Sequence, residues 1–299
     1  MSSMLSVGLL VSALAHAQSA PPVPALVNRG SITAVVPVDM GGQYRGGAIL
    51  TEGDGYPDLL VQTNAGRVGL ALSRGPGSLA DLGLYDLLPS GFDVVSAWHV
   101  VGVGDFNGDG HADLLWQGPT GSVVVWFNNG STPATGRYVY SGASAWRIVA
   151  VADMNGDSKP DIIWQSPTGQ VVVWLMQGST LRSAQYLSLV SSVWTVVGAA
   201  DFDGDGAADL LWQSPTGTLV TWTMHGTSMA SAHVYFAGPT NWRVISVGDL
   251  LPQPHGFHPP DLVWQGPKDD IVVWFLGDNP TIVRYVKATT SGWQFSATP

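Results

Sequence analysis

The stretch Asp105-Phe-Asn-Gly-Asp-Gly-His-Ala-Asp113-Leu-Leu-Trp-Gln117 decides the fold, because it returns twice at a fixed interval. It recurs as Asp153-Met-Asn-Gly-Asp-Ser-Lys-Pro-Asp161-Ile-Ile-Trp-Gln165 and as Asp201-Phe-Asp-Gly-Asp-Gly-Ala-Ala-Asp209-Leu-Leu-Trp-Gln213, each copy 48 residues after the one before. Every copy joins an oxygen-rich turn to a short apolar strand. Short strands repeating at a period of this size point to the blades of a β-propeller.

Tryptophan gives the same period independently. Trp98, Trp146, Trp194 and Trp242 are 48 residues apart, and Trp293 follows 51 later. Trp116, Trp164, Trp212 and Trp264 form a second series; Trp126, Trp174, Trp222 and Trp274 form a third. All 13 Trp belong to the pattern. Aligned on the Asp-apolar-apolar step, the chain falls into units centred on Asp58, Asp113, Asp161, Asp209 and Asp261.

Each unit reads as four strands. In the third unit these are Trp146 to Asp153, Asp161 to Gln165, Val171 to Met176 and Ala184 to Leu189. The turn Ser166-Pro-Thr-Gly169 between the second and third suits a type I turn. The middle strands are apolar almost throughout, as strands buried on both faces are. The expectation is an all-β fold, a propeller of five four-stranded blades over residues 31–299. A strand-like run at Ile32 to Val38 and the segment Trp293 to Pro299 would share a blade and lock the ring. A six-bladed ring with a composite terminal blade is the alternative.

Composition narrows the function. Of 299 residues, 45% are hydrophobic and 11% charged, which excludes a disordered chain. The 37 Gly and 20 Pro suit short strands between turns. A net charge of −10 with three Lys argues against nucleic acid as a partner, since a phosphate-binding surface needs clustered cations. Without Cys, thiolate zinc, disulfides and thiol catalysis are excluded. Met4 to Ala15 is an apolar run, and Ala15-His16-Ala17 fits a small-x-small cleavage site. Residues 1–17 therefore resemble a signal peptide, with a linker over 18–30. The run is short for a membrane span, and no span is expected in the mature chain. The expected location is secreted, extracellular or periplasmic.

The acids are distributed unevenly: 21 Asp against the single Glu52, with fourteen Asp at the loop positions or their degenerate equivalents. Short carboxylates ligating from a tight turn are the usage of calcium loops. The ligand sets are Asp105, Asn107, Asp109 and Asp113; Asp153, Asn155, Asp157 and Asp161; and Asp201, Asp203, Asp205 and Asp209. The carbonyls of His111, Lys159 and Ala207 would add one oxygen each. Hard oxygen donors without Cys or His nitrogen favour calcium, about three ions in all. An EF-hand is rejected because its twelfth position needs Glu, and here that position is Trp116, Trp164 or Trp212. In the first unit Leu50 replaces the leading Asp, leaving Glu52, Asp54 and Asp58 as a weak set. In the last, Asp249 and Asp261 are separated by a Pro-rich insertion and no ion is expected. His255 and His258 in that insertion read as plain loop residues.

The unit Gly-Asp-Phe-Asn-Gly-Asp-Gly-x-x-Asp-Leu-Leu-Trp resembles the FG-GAP/VCBS repeat, found in integrin α-subunit heads, in a calcium-containing fungal propeller lectin and in secreted bacterial proteins. The resemblance implies a propeller with calcium held between two strands of a blade. It does not imply one function.

Non-catalytic recognition is the expected role, with carbohydrate favoured over a cell-surface or extracellular protein. Sugars are bound by aromatic faces and planar polar groups, and repeats multiply weak sites. The candidate contacts are Trp98, Trp146, Trp194 and Trp242, with Gln117, Gln165 and Gln213. Most other Trp read as packing between blades. No enzyme is expected. A glycosidase needs two carboxylates in different environments, and most acids here are committed to loops. Gly226-Thr-Ser-Met-Ala230 resembles a subtilisin-type nucleophile segment, but its Asp and His partner motifs are missing.

Overall fold

The computed structural model describes residues 98–110, 112–127, 136–187, 193–248, 259–267 and 272–276, and adds the backbone course of the strands that run outside them. The chain is a β-propeller. Its first sheet contains β1 (Ser31–Val38), β2 (Asp58–Thr63), β3 (Val68–Ala71) and β4 (Leu84–Asp86). Four four-stranded antiparallel blades follow. They are β5 (His99–Gly104), β6 (Asp113–Gln117), β7 (Val123–Asn128) and β8 (Pro133–Tyr140); β9 (Arg147–Ala152), β10 (Asp161–Gln165), β11 (Val171–Gln177) and β12 (Thr180–Tyr186); β13 (Thr195–Ala200), β14 (Asp209–Gln213), β15 (Leu219–His225) and β16 (Ser228–Phe236); β17 (Arg243–Gly248), β18 (Asp261–Gln265), β19 (Ile271–Phe275) and β20 (Ile282–Val286). β21 (Gln294–Phe295) pairs in parallel with the start of β1.

The first strand of each blade is innermost: β5 lies against β9, β9 against β13 and β13 against β17, while β1 lies against both β5 and β17. Each of the four has a register shift against its second strand, as between Val100 and Gly102. Such bulges strengthen the local twist. Gly102 is required at its position: a Cβ there would collide with the Val151 side chain of the next blade.

The core lies between blades. Trp164 and Trp174 stack tilted at 4.9 Å, and Tyr140 of the preceding blade meets them edge-on at 6.4 and 6.1 Å. Phe236 repeats that role against Trp264 and Trp274. Trp116, Trp164, Trp212 and Trp264 are buried, and the indole N–H of each has no acceptor among the described residues. Their contribution is therefore apolar area and ring packing.

Glutamine joins one blade to the next. The Gln117 amide Nε2 donates to the Trp146 carbonyl, while its Oε1 accepts from the Ile148 N–H. Gln165 makes the same pair to Trp194 and Val196, and Gln213 to Trp242 and Val244. Each clamp fastens the end of a second strand to the start of the neighbouring blade's first strand. The incoming loop also docks on the previous blade's turn, where the Ser144 N–H donates to the Thr120 carbonyl at 2.8 Å. Gly121, at φ 91°, permits that approach; a Cβ would strike the Ser144 carbonyl.

Candidate functional site

The two ends of the innermost strands carry different chemistry. At one end lie the acidic loops. Asp105, Asp153 and Asp201, the leading residues, gather backbone N–H groups: Asp201 accepts from Asp203, Gly204 and Gly206, and Asp153 from Asn155, Gly156, Asp157 and Ser158. This turn chemistry closes the loop before any ion is considered. The ninth residue does something else. Asp161 and Asp209 are fully buried. Asp161 accepts from Met154 in the loop and from Met176 in β11; Asp209 accepts from Phe202 and Met224. Each carboxylate ties the loop to two strands. Asp113, also buried, accepts from Phe106.

In the third loop Asp201, Asp203 and Asp209 bring carboxylate oxygens within 4.8 Å of one another. Oxygens sharing a calcium ion at about 2.4 Å can stand up to about 4.8 Å apart, so one cation can touch all three. The donors fit a hard divalent cation in both kind and spacing. Asp205 is turned from this cluster toward His225, whose Nδ1 lies 3.3 Å from its Oδ2. In the other two loops an Asn stands at the third position. Asn107 donates its amide to Asp109, and Asn155 donates to Asp161. Rotating either amide would present a carbonyl oxygen in place of the NH2 group. Lys159 and Ala207 donate their N–H groups to Asp157 and Asp205. His111, Glu52 and Asp54, and the side chain of Asp58, lie outside the described residues, as do Asp249, His255 and His258.

Burial pushes the Asp161 carboxyl up from 3.8 to about 6. The Asp157 and Asp153 charges push the same way, while the N–H groups of Met176 and Met154 oppose. Asp209 is raised as well, first by burial and then by Asp203 and Asp201. A cation placed among these groups would favour their ionised forms.

At the opposite end is a cavity of about 980 Å³ between the β5–β8 and β9–β12 blades, reaching the start of β13. Its lining includes His99, Gln117, Trp146, Arg147, Gln165 and Thr195. Trp98, Trp146, Trp194 and Trp242 are all half-buried, one per blade at the entry to the first strand. Trp146 meets Tyr186 edge-on at 6.2 Å. Trp98 lies over Gly118 and Trp242 over Gly266, where any Cβ would be crowded. The structure thus places the four Trp on this end of the propeller. It gives the glutamines a different job: Gln117, Gln165 and Gln213 are buried with both ends of each amide bonded to the next blade. They are joints between blades. The sequence reading passed over His99, Arg147 and Arg243. The available signal was position, since each immediately follows an opening Trp.

The FG-GAP-like repeat family model matches three overlapping stretches, residues 52–116, 105–164 and 153–212. Each match runs from one acidic loop to the buried Trp behind the next, so its frame straddles two blades. No curated protein matches the chain. Among solved structures, the C-terminal WD40 domain of Sif2 is similar at 13% identity over 89% of this chain and 75% of that chain, with a TM-score of 0.38. Three consecutive matches in register with the acidic loops, spanning more than half of the sequence, place the chain in the FG-GAP-like repeat family.

Proposed function

We propose that this protein is a secreted, calcium-binding, five-bladed propeller that recognises carbohydrate without catalysis. The five-blade ring is supported by β1, which lies against both β5 and β17, and by β21, which pairs with β1 and so brings the two ends of the chain into one sheet. Calcium is supported by the convergence of Asp201, Asp203 and Asp209. Its role here is to brace the turn between first and second strands. Among the described residues no helix is long and apolar enough to cross a membrane.

The observation that carries the recognition reading is the half-buried Trp146 ring in the wall of the 980 Å³ cavity. A partly exposed indole in a concave, polar-edged site offers a pyranose an apolar face. The test is a glycan-array screen of the chain from Gln18 onward, with calcium and again in EDTA. A defined saccharide hit that Trp146→Ala abolishes is the expected result. A blank array would move the reading to a protein-binding propeller. One observation favours that second reading: β16 is an exposed edge strand of nine residues carrying exposed Met229 and Val234. Such an edge can accept an added strand.

A further inference from the structure

We propose that the saccharide taken by the Trp146 cavity is anionic, bound through its carboxylate or sulfate by Arg147 at the mouth of the central channel, with His99 beside it. This rests on the glycan reading of that cavity and specifies its ligand. His99, Arg147, Thr195 and Arg243 are the first residues of β5, β9, β13 and β17, and they pair with Gln117, Gln165, Gln213 and Gln265 of the second strands. Because those first strands are adjacent and innermost, the four residues stand at one level around the channel, and all four are exposed.

The described carboxylates lie at one end of the propeller. The chain carries −10, yet every carboxylate among the described residues belongs to an acidic loop or to Asp261, at the far end of the first strands. A six-residue strand such as β5 separates the ends by about 16 Å at about 3.3 Å per residue. That exceeds the Debye length of about 8 Å at physiological salt, so the loops do not neutralise the mouth. Among the described residues no acid lines the cavity. Among the described residues neither Arg147 nor Arg243 has an ion-pair partner. His99 is held below its ordinary value, first by burial and then by the nearby Arg147 charge.

The chemistry is matched to a uronate or a sulfated sugar. The guanidinium fork pairs with a planar carboxylate through two parallel hydrogen bonds. Trp146 and Arg147 both line the cavity, so a ring and a cation are open to one ligand. A sugar stacked on the indole can then direct an anionic substituent to the guanidinium.

The experiment is calorimetric titration of the calcium-loaded protein with three probes: a galacturonate hexamer, its fully methyl-esterified form and a sulfated oligosaccharide. The expected result is binding of the galacturonate hexamer or the sulfated probe, which tells the two anion sources apart. The esterified form should bind at least tenfold more weakly than the acid. Arg147→Gln should weaken the acidic probe at least tenfold and leave the esterified form unchanged. Arg182→Gln, an exposed residue on β12, should alter neither. Equal binding of acid and ester with a silent Arg147→Gln would overturn the inference and leave glycan recognition standing. So would an array hit on a neutral sugar with no binding of either acidic probe. Failure of every probe together with a blank array would overturn both.

Discussion

Replacing Gln165 with Leu tests the inter-blade clamp in isolation from metal and ligand. The side chain is 8% exposed, and Leu is close to it in size. The Trp194 carbonyl would lose its partner at 2.9 Å, and the Val196 N–H would lose its acceptor at 3.1 Å. An orphaned buried polar group costs about 1–3 kcal/mol, and the Val196 N–H is the more buried of the two, which places the total at about 2–4 kcal/mol. At about 2–4 °C per kcal/mol for a domain of this size, Tm should fall by about 4–16 °C. Urea unfolding and differential scanning calorimetry in saturating calcium would measure both quantities. Gln177→Leu, at an exposed strand end, is the control and should stay within about 0.5 kcal/mol. The reasoning is refuted if Gln165→Leu is as stable as the parent. It is refuted equally if the variant keeps full stability and loses glycan binding, because Gln165 would then be a ligand contact.

Four further outcomes follow from the same geometry. Asp161, raised from 3.8 to about 6, binds more protons folded than unfolded, so in EDTA its stability contribution is complete below 3.8 and is lost as pH rises through about 6. Metal-free Tm should therefore decline between pH 4 and pH 7, with a smaller slope in Asp161→Asn; a flat profile in EDTA speaks against it. Calcium should reverse that trend: at a hundredfold excess over Kd one ion adds about 2.7 kcal/mol, and thermal scans should show Tm rising with calcium. Asp203→Ala should reduce the calcium stoichiometry by one and spare the other loops, whereas loss of all ions would contradict independent sites. Gly121→Ala should cost about 2–5 kcal/mol, from the left-handed backbone and from collision with the Ser144 carbonyl, and a near-neutral denaturation midpoint would show that the turn can shift.

The sequence carried the repeat and the middle strands because both are written in local pattern. β10 occupies Asp161–Gln165, as its apolar run implies, and β11 extends the expected Val171 to Met176 by one residue. The fourth strand was placed too late, at Ala184 to Leu189, whereas β12 runs Thr180–Tyr186. That strand is an outer, half-exposed one with weak apolar alternation, and the Gln177–Thr180 hairpin pairing sets its start. The inter-blade bonds of the glutamines escaped notice for a different reason. A Gln after Trp looks like a surface polar group, and nothing local reveals that its partners lie 29 and 31 residues ahead in the next blade. Arg147 is likewise unremarkable as a single cation opening a strand. Only the side-by-side placement of β5 and β9 sets it beside His99.

The proposed carbohydrate recognition at the channel mouth is tested most directly through the tryptophan indoles. Protein labelled with ¹⁵N at Trp and loaded with calcium would be titrated with the array saccharide while the indole N–H signals are followed. Trp146 and its neighbour Trp98 should shift in a saturable manner. The buried Trp116, Trp164, Trp212 and Trp264 signals should stay in place. Shifts confined to buried indoles, or a Trp146 signal unmoved at saturation, would contradict a sugar site in this cavity.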